Sequence, residues 1–335
     1  MAKVSLIVPC YNEQATIQQL LDAIYSQSFP RNDIEVVIAD GLSTDKTREV
    51  IKNYQFNHPD LNIKIIDNPR RNIPSGLNRA IETACGTYLV RMDAHSIPAQ
   101  DYIANCINDL ERGLGDNVGG IWKIQPGANT WIAQAIAIAA AHPLGVGDAL
   151  YRIGGEAQAV DTVPFGAFHR DLVEKIGLFD ETLLTNEDYE FNVRVRRAGG
   201  KVWMDPAIQS IYFARATLAE LSKQFWRYGY WKARMLLRYP MTLRWRQLMP
   251  PLFVMALIVL GCLSFVWPFA RLCLASIVIL YTMIILAAGI LMSMRRRNAS
   301  MVIGLPLAIV TIHLSYGAAL LSGLLFKPKL NIPTR

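Results

Sequence analysis

Apolar residues near the start of the chain fall into short runs that each stop at a polar residue. Val4 to Pro9 (V-S-L-I-V-P) has the pattern of a short buried strand, after which Ile17, Leu20, Leu21 and Ile24 share one helical face. Ile34 to Ala39 repeats the strand pattern and ends at Asp40, and Ser43 or Thr44 is placed to cap a helix carrying Val50, Ile51 and Tyr54. Ile63 to Ile66 gives a third strand, Ser75 to Ala84 a third helix and Tyr88 to Met92 a fourth strand. Strands alternating with helices predict an α/β fold with a mainly parallel sheet covered on both faces. Ligands of such sheets bind beyond the carboxyl ends of the strands, so Tyr11, Asn12, Glu13, Asp40, Asp93 and His95 should line one edge.

The C-terminal pattern is different. Leu248 to Ala270 and Leu272 to Met294 are each 23 residues without a charge, and Asn298 to Phe326 is a third such run of 29. At about 1.5 Å per residue, 23 residues reach about 35 Å, enough to cross a hydrocarbon core of about 30 Å. Three spans are expected, near residues 248–270, 272–294 and 300–326, although Gly304 and Pro306 could break the third. Trp131 to Ala141 is apolar but too short to span, and is expected to be a core helix. Between 218 and 247, Phe225, Trp226, Tyr228, Tyr230 and Trp231 interleave with Lys223, Arg227, Lys232 and Arg234, which suits the headgroup layer. Gly229 and Pro240 are expected to divide this stretch into two interfacial pieces.

Composition sharpens the division. Of 335 residues, 52% are apolar, and the net charge of +7 is unevenly spread. Residues 215–335 hold 15 lysines and arginines against one acid, Glu220, while residues 1–214 are net acidic. The basic excess therefore points to anionic lipid and away from nucleic acid. Met1-Ala-Lys leads straight into a strand, so no signal peptide is expected, and the first half should stay in the cytoplasm. The positive-inside rule agrees for Arg295 to Arg297 but opposes a third span that exports Lys327, Lys329 and Arg335. Cys10, Cys85, Cys106, Cys262 and Cys273 form no C-x-x-C pair, so neither a disulfide framework nor zinc is expected.

Asp93 and His95, two apart after the fourth strand, suit a divalent cation if the backbone stays extended there; a solvated cap and a hydrogen-bonded histidine form the plainer alternative. Arg70, Arg71 and Arg79 read by themselves as surface arginines. Glu187 and Asp188 precede a helix with Phe191, Val193 and Val195, where either general-base chemistry or favourable interaction with the helix dipole accounts for two acids.

Seven segments carry a family resemblance. V-S-L-I-V-P-C-Y-N-E at 4–13, I-A-D-G-L-S-T-D-K-T at 38–47, R-M-D-A-H at 91–95, F-G-A-F-H-R at 165–170, G-L-F-D-E at 177–181, N-E-D-Y-E-F at 186–191 and V-R-R-A-G-G-K-V at 195–202 together resemble family 2 glycosyltransferases of the GT-A fold. Within the family the chain is most similar to membrane-bound glucosyltransferases of succinoglycan-type exopolysaccharide synthesis. The resemblance implies a GT-A (Rossmann-like) catalytic domain over residues 1–214, amphipathic interfacial helices over 215–247 and a transmembrane region over 248–335. It implies that Pro9, Tyr11, Asn12, Glu13, Asp40, Arg71 and Asp93 bind the donor, and that Asp93 and His95 hold the metal where most relatives have Asp-x-Asp. Imidazole at the second position favours Mn2+ without excluding Mg2+. The resemblance also makes Arg70, Arg71 and Arg79 candidates to meet a pyrophosphate. It further implies that Asp188 is the general base and that Glu187, Gln224, Arg227 and Tyr228 serve the acceptor and interface, since Q-F-W-R-Y at 224–228 resembles the Q-x-x-R-W motif.

The activity so implied is inverting transfer of a hexose, glucose first, from a UDP-sugar to a polyprenyl pyrophosphate-linked saccharide. Its place is the cytoplasmic face of the inner (plasma) membrane, in a multi-pass protein that contacts membrane lipids and no nucleic acid. Transfer to polyprenyl phosphate itself, processive polysaccharide synthesis, a nucleotide-binding membrane protein without activity, and assembly into a homo-oligomer stay open.

Overall fold

Seven consecutive buried residues form β1 (Val4–Cys10), and seven more form β2 (Ile34–Asp40), in a computed structural model that describes residues 2–326. Neighbouring side chains of a strand point to opposite faces, so burial of all seven requires cover on both. Helices supply it. On one face Leu6 and Val8 pack with Ile17, Leu20 and Leu21 of α1 (Ile17–Tyr25) and Ile51 of α2 (Thr47–Asn57). On the other, after β3 (Asn62–Asp67), Ile7 and Val37 pack with Leu77 and Ile81 of α3 (Ile73–Thr83). Helix α2 begins later than its sequence suggests, because Ser43 turns back to bond Asp40 and the Asp45 carboxylate accepts from the Thr47 N–H at 3.0 Å.

Register levels the strand ends that matter. β1 is paired in parallel with β2 and with β4 (Tyr88–Arg91), placing Cys10 opposite Asp40 and Ile7 opposite Arg91; β2 pairs with β3, placing Asp40 opposite Asp67. The chain continues through β5 (Ile97–Pro98), α4 (Tyr102–Glu111), β6 (Asn117–Gln125), α5 (Trp131–Ala139), α6 (Pro143–Val146) and α7 (Leu150–Ile153). The sheet-bearing half closes with β7 (Gln158–Ala159), β8 (Ala167–His169), α8 (Arg170–Ile176), α9 (Glu187–Arg197) and β9 (Val202–Phe213). The sheet order is β3-β2-β1-β4-β8-β6-β9-β5, with β7 on β9. β8 is antiparallel to both β4 and β6, so the sheet is parallel on the β1–β4 side and mixed as a whole.

The described residues form two compact units. One takes in everything up to Lys123 together with Leu150–Tyr212; the other takes Ile124–Ala149 and everything from Phe213 on. In the second, α10 (Leu218–Arg238), α11 (Trp245–Leu263), α12 (Pro268–Arg296) and α13 (Met301–Leu325) are joined by α5. The last three are long and apolar enough to cross a membrane. The break between the first two falls at 264–267, not at Arg271: Pro268 starts α12, and the Arg271 Nε donates to the Ser264 carbonyl at 2.6 Å. Helix α13 runs unbroken through Gly304 and Pro306, the former facing Trp131 and Ala135 of α5, which is where the short apolar helix is buried. His313 donates from Nε2 to the Leu144 carbonyl at 2.7 Å and accepts from the Tyr281 hydroxyl at 3.0 Å, satisfying polar groups along an otherwise apolar helix. The expectation concerning Lys327, Lys329 and Arg335 lies outside the described residues.

Gly229 does not divide α10. The helix is continuous over 218–238, and the glycine exists for packing: a Cβ there would stand 2.3 Å from the Tyr316 carbonyl oxygen of α13. Pro240 does end it, in a 3-10 turn over Pro240–Thr242. Alanine in a helix interior normally gains about 0.5–1 kcal/mol over glycine, whereas overpacking costs about 1–3 kcal/mol. Gly229→Ala should therefore lower the thermal midpoint in detergent, while Gly261→Ala, whose Cβ meets nothing within 4 Å among the described residues, should leave it equal or higher. A rise with Gly229→Ala would contradict the α10–α13 packing.

Candidate active site

The loops after β1 and β2 are laced together. Asn12, with a left-handed φ of 55°, donates its N–H to the Ser43 hydroxyl at 2.9 Å and accepts from the Thr44 N–H at 2.8 Å on its side-chain oxygen. The Glu13 N–H donates to the Thr47 hydroxyl at 2.7 Å. Beneath them Asp40 is enclosed, its carboxylate taken by the Ser43 N–H and hydroxyl and by Arg48. Pro9 is buried as well, against Gly76 of α3. Asp40 and Pro9 thus shape the floor of the edge. Tyr11, 42% exposed, faces outward, with the Arg71 guanidinium 5.9 Å from its ring centre. An accessible aromatic face beside a cation suits a base and a phosphate. Arg70 is paired with Glu181, and Arg79 lies exposed on α3.

At the end of β4 the chain turns immediately. The Asp93 carbonyl accepts from the Ser96 N–H at 3.0 Å and from its hydroxyl at 2.7 Å, so the backbone is not extended between Asp93 and His95. His95 instead lies 3.0 Å from Glu13, Nδ1 to Oε1, closing β4's loop onto β1's. Among the described residues no three His, Cys, Asp or Glu side chains converge on a metal position.

The third contributor is the first turn of α9. Asn186, left-handed at φ 65°, precedes Glu187 and Asp188, which open the helix. Phe191 stacks on Phe179 at 4.5 Å and Glu190 pairs with Arg194 at 2.8 Å, so the helix is held firmly behind its first turn. The Asp188 carboxylate accepts from the Tyr189 N–H at 2.7 Å. Glu187 points inward, where its Oε1 meets Arg91 Nη2 at 2.7 Å; the same nitrogen is 3.4 Å from Asp93. Arg91, only 3% exposed, therefore stands between the β4 carboxylate and the acids of α9. Burial works against its charge, but Glu187, Asp93 and Asp188 keep it protonated. Burial likewise pushes the Glu187 and Asp188 carboxyls above the ordinary range, with Arg91 opposing and neighbouring carboxylates reinforcing the rise.

Arg91 is the residue that motif reading passes over. Its signal is a charge lodged inside an apolar run, Leu89-Val90-Arg91-Met92, where an unpaired guanidinium would be costly. A second signal is Phe165, held at φ 63° beside Gly166, whose carbonyl accepts from the Arg91 N–H at 2.9 Å. Gln224, Arg227 and Tyr228 lie on α10 in the second unit, where the Gln224 amide donates to the Tyr228 hydroxyl at 3.0 Å.

Comparison with known proteins gives consistent answers. The family model described as Glycosyl transferase family 2 matches residues 5–177. A transferase of Methanococcus voltae, dolichyl N-acetyl-alpha-D-glucosaminyl phosphate 3-beta-D-2,3-diacetamido-2,3-dideoxy-beta-D-glucuronosyltransferase, is 30% identical over 324 residues, 94% of this chain and 95% of its own. The succinoglycan biosynthesis protein ExoA of Rhizobium meliloti is 30% identical over 247 residues, 73% of each chain. In fold, the mannosyltransferase PcManGT of Pyrobaculum calidifontis, solved with GDP-Man and Mn2+, superposes with a TM-score of 0.62 at 22% identity, covering 92% of this chain and 86% of its own. TarS 1-349 of S. aureus with UDP-GlcNAc superposes at 0.51 and 16% identity, covering 96% and 91%.

The raised carboxyls set a sign for stability. The folded chain binds more protons than the unfolded one, so the pair's contribution is complete below the unfolded carboxylate pKa and is lost as pH rises through the folded values. Asp188→Asn keeps the shape and removes one ionising group. Its thermal midpoint should exceed that of the wild type at about pH 8, with the gap shrinking toward about pH 5. A lower midpoint for the variant at the higher pH would contradict the burial argument.

Proposed function

The chain belongs to glycosyl transferase family 2, and from that premise we propose that it is an inverting enzyme moving a hexose, glucose first, from a UDP-sugar to a lipid-linked saccharide at the cytoplasmic face of a membrane. One observation carries the reading: Arg91 draws the strand-end carboxylate Asp93 and the helix-opening Glu187, next to Asp188, to a single guanidinium, which supports donor and acceptor chemistry meeting at one edge. Tyr11 and Arg71 receive the base and the diphosphate, with Asn12 and Glu13 held beneath by the β2 loop. Asp188 takes the proton of the acceptor hydroxyl as that oxygen bonds to the anomeric carbon and the bond to the leaving diphosphate breaks.

Asp93 and His95 would hold a divalent cation. By donor chemistry a carboxylate and an imidazole suit such an ion, and the imidazole favours Mn2+ over Mg2+; the turn at Ser96 and the His95–Glu13 contact mean that His95 would have to leave Glu13 to join Asp93. When bound, the cation offsets the charge that develops on the leaving diphosphate.

The membrane placement rests on the three apolar helices and on the basic, aromatic face of α10. With a cytoplasmic catalytic unit, Arg295 to Arg297 stay on the cytoplasmic side in a multi-pass protein. The acceptor class follows from the excess of positive charge after residue 215, which attracts a lipid pyrophosphate, and from the Methanococcus voltae relative, whose name gives a dolichyl phosphate-linked sugar as its acceptor. Gln224, Arg227 and Tyr228 would meet this acceptor at headgroup depth.

The test is transfer from labelled UDP-glucose into extracted membrane lipids, followed by mild acid release and sizing. A glycan longer by one residue is expected. With Asp188→Asn turnover should fall by about 10² to 10⁴ while donor binding is kept. A long polymer, transfer to soluble sugars alone, or near-normal turnover of the variant would overturn the reading.

A further inference from the structure

We propose that Arg91 is a positioning residue that couples the two halves of the site, holding the first turn of α9, and with it Asp188, in register with the donor carboxylate Asp93. The inference rests on the glycosyl-transfer reading above and adds a residue to it. Arg91 ends β4 with its backbone fixed on both sides, opposite Ile7 of β1 and donating to the Gly166 carbonyl at 2.9 Å. Its side chain runs into the protein, and among the described residues only its Nη2 has partners: Glu187 at 2.7 Å and Asp93 at 3.4 Å. Nε and Nη1 are enclosed and bond no atom of the described residues.

That arrangement is not what packing alone selects. Leu89 and Val90 fill the same strand with apolar side chains, and a third would avoid desolvating a cation and two N–H groups. A buried arginine held at one corner by two carboxylates from different elements acts as a tie between those elements. Glu187 is the first residue of α9, so fixing its carboxylate fixes the helix's first turn, in which Asp188 is the next residue. At the other end Asp93 is set by its own turn through Ser96. Proton transfer over hydrogen-bond distance tolerates little misplacement, so loss of the tie appears in turnover and not in donor affinity. Lysine keeps the charge, but its compact ammonium on a flexible stem lacks the planar fork and holds the geometry only in part.

The experiment compares the full-length wild type with Arg91→Met, Arg91→Lys, Glu187→Gln and the Arg91→Met/Glu187→Gln double variant. It measures turnover per folded molecule and affinity for UDP. Arg91→Met should lose about 100-fold in turnover with UDP affinity within about threefold, Arg91→Lys should recover about tenfold of that loss, and Arg91→Met should cost less than about threefold in the Glu187→Gln background. Turnover per folded molecule that is unchanged in Arg91→Met, or losses that multiply independently in the double variant, would overturn the inference alone. Should Arg91→Met not fold, Arg91→Lys and Glu187→Gln decide: reduced turnover in both at retained UDP affinity supports the tie, and normal turnover in either overturns it. A wild type that transfers no sugar from any nucleotide sugar removes the underlying reading and the inference with it.

Discussion

Taking a guanidinium out of water costs several kcal/mol unless acids sit close enough to offset it, and taking carboxylates out of water costs as much unless a cation is near. Arg91 and Glu187 solve both problems by being buried together, with Asp93 and Asp188 half-buried beside them. Three acids against one arginine leave the cluster short of positive charge. Burial is the main reason the Glu187 and Asp188 carboxyls are raised, with neighbouring carboxylates adding to the rise and Arg91 opposing it. A proton acceptor with an elevated pKa is also the better base for an alcohol, since proton affinity rises with it.

The sheet makes this burial achievable. Parallel pairing brings the ends of β1, β2 and β3 level, and Gly166, just before the antiparallel strand β8 that lies next to β4, supplies the carbonyl that fixes the Arg91 backbone. Around the cluster the loops are joined by short side-chain bonds: Asn12 to Ser43 and Thr44, Glu13 to Thr47 and His95. The loops at this edge are thus held in place by bonds within the chain, those of Asp40 to Ser43 and Arg48 among them. In the second unit small residues do the corresponding work, with Gly229, Gly317 and Gly323 letting α10, α11 and α13 approach backbone to backbone.

Much of this was legible in the residues. The strands and helices up to Met92 follow from runs of apolar residues whose burial on both faces leaves little ambiguity, and the acids at their ends could be placed on one edge before any coordinate was known. Strands β5, β7 and β8, of two or three residues, have no period to detect, and the longer β6 and β9 of the mixed half carry glycines, a proline and charges that interrupt an apolar run. The start of α2 was misplaced because Ser43 caps the Asp40 loop and not the helix. Gly229 suggested a break by composition, yet its role is set by a residue 87 positions away, and Arg271 resembled a boundary although it serves the true break at Ser264 from inside the next helix. Arg91 was hidden for a similar reason: its meaning depends on Glu187, which a local pattern does not connect to it. The extended backbone assumed between Asp93 and His95 failed because Ser96 closes a turn there.

The central claim is that Asp188, poised by this buried cluster, deprotonates the acceptor directly, so that the sugar is transferred in one displacement with no glycosylated enzyme on the way. Stereochemistry tests it most directly. The product formed from α-linked UDP-glucose is isolated before it can be modified, and the coupling constant of its anomeric proton is measured by nuclear magnetic resonance. A large diaxial coupling, the mark of a β-linked glucose and of inversion, is the result this account predicts; a small coupling, showing an α-linked product, would contradict it.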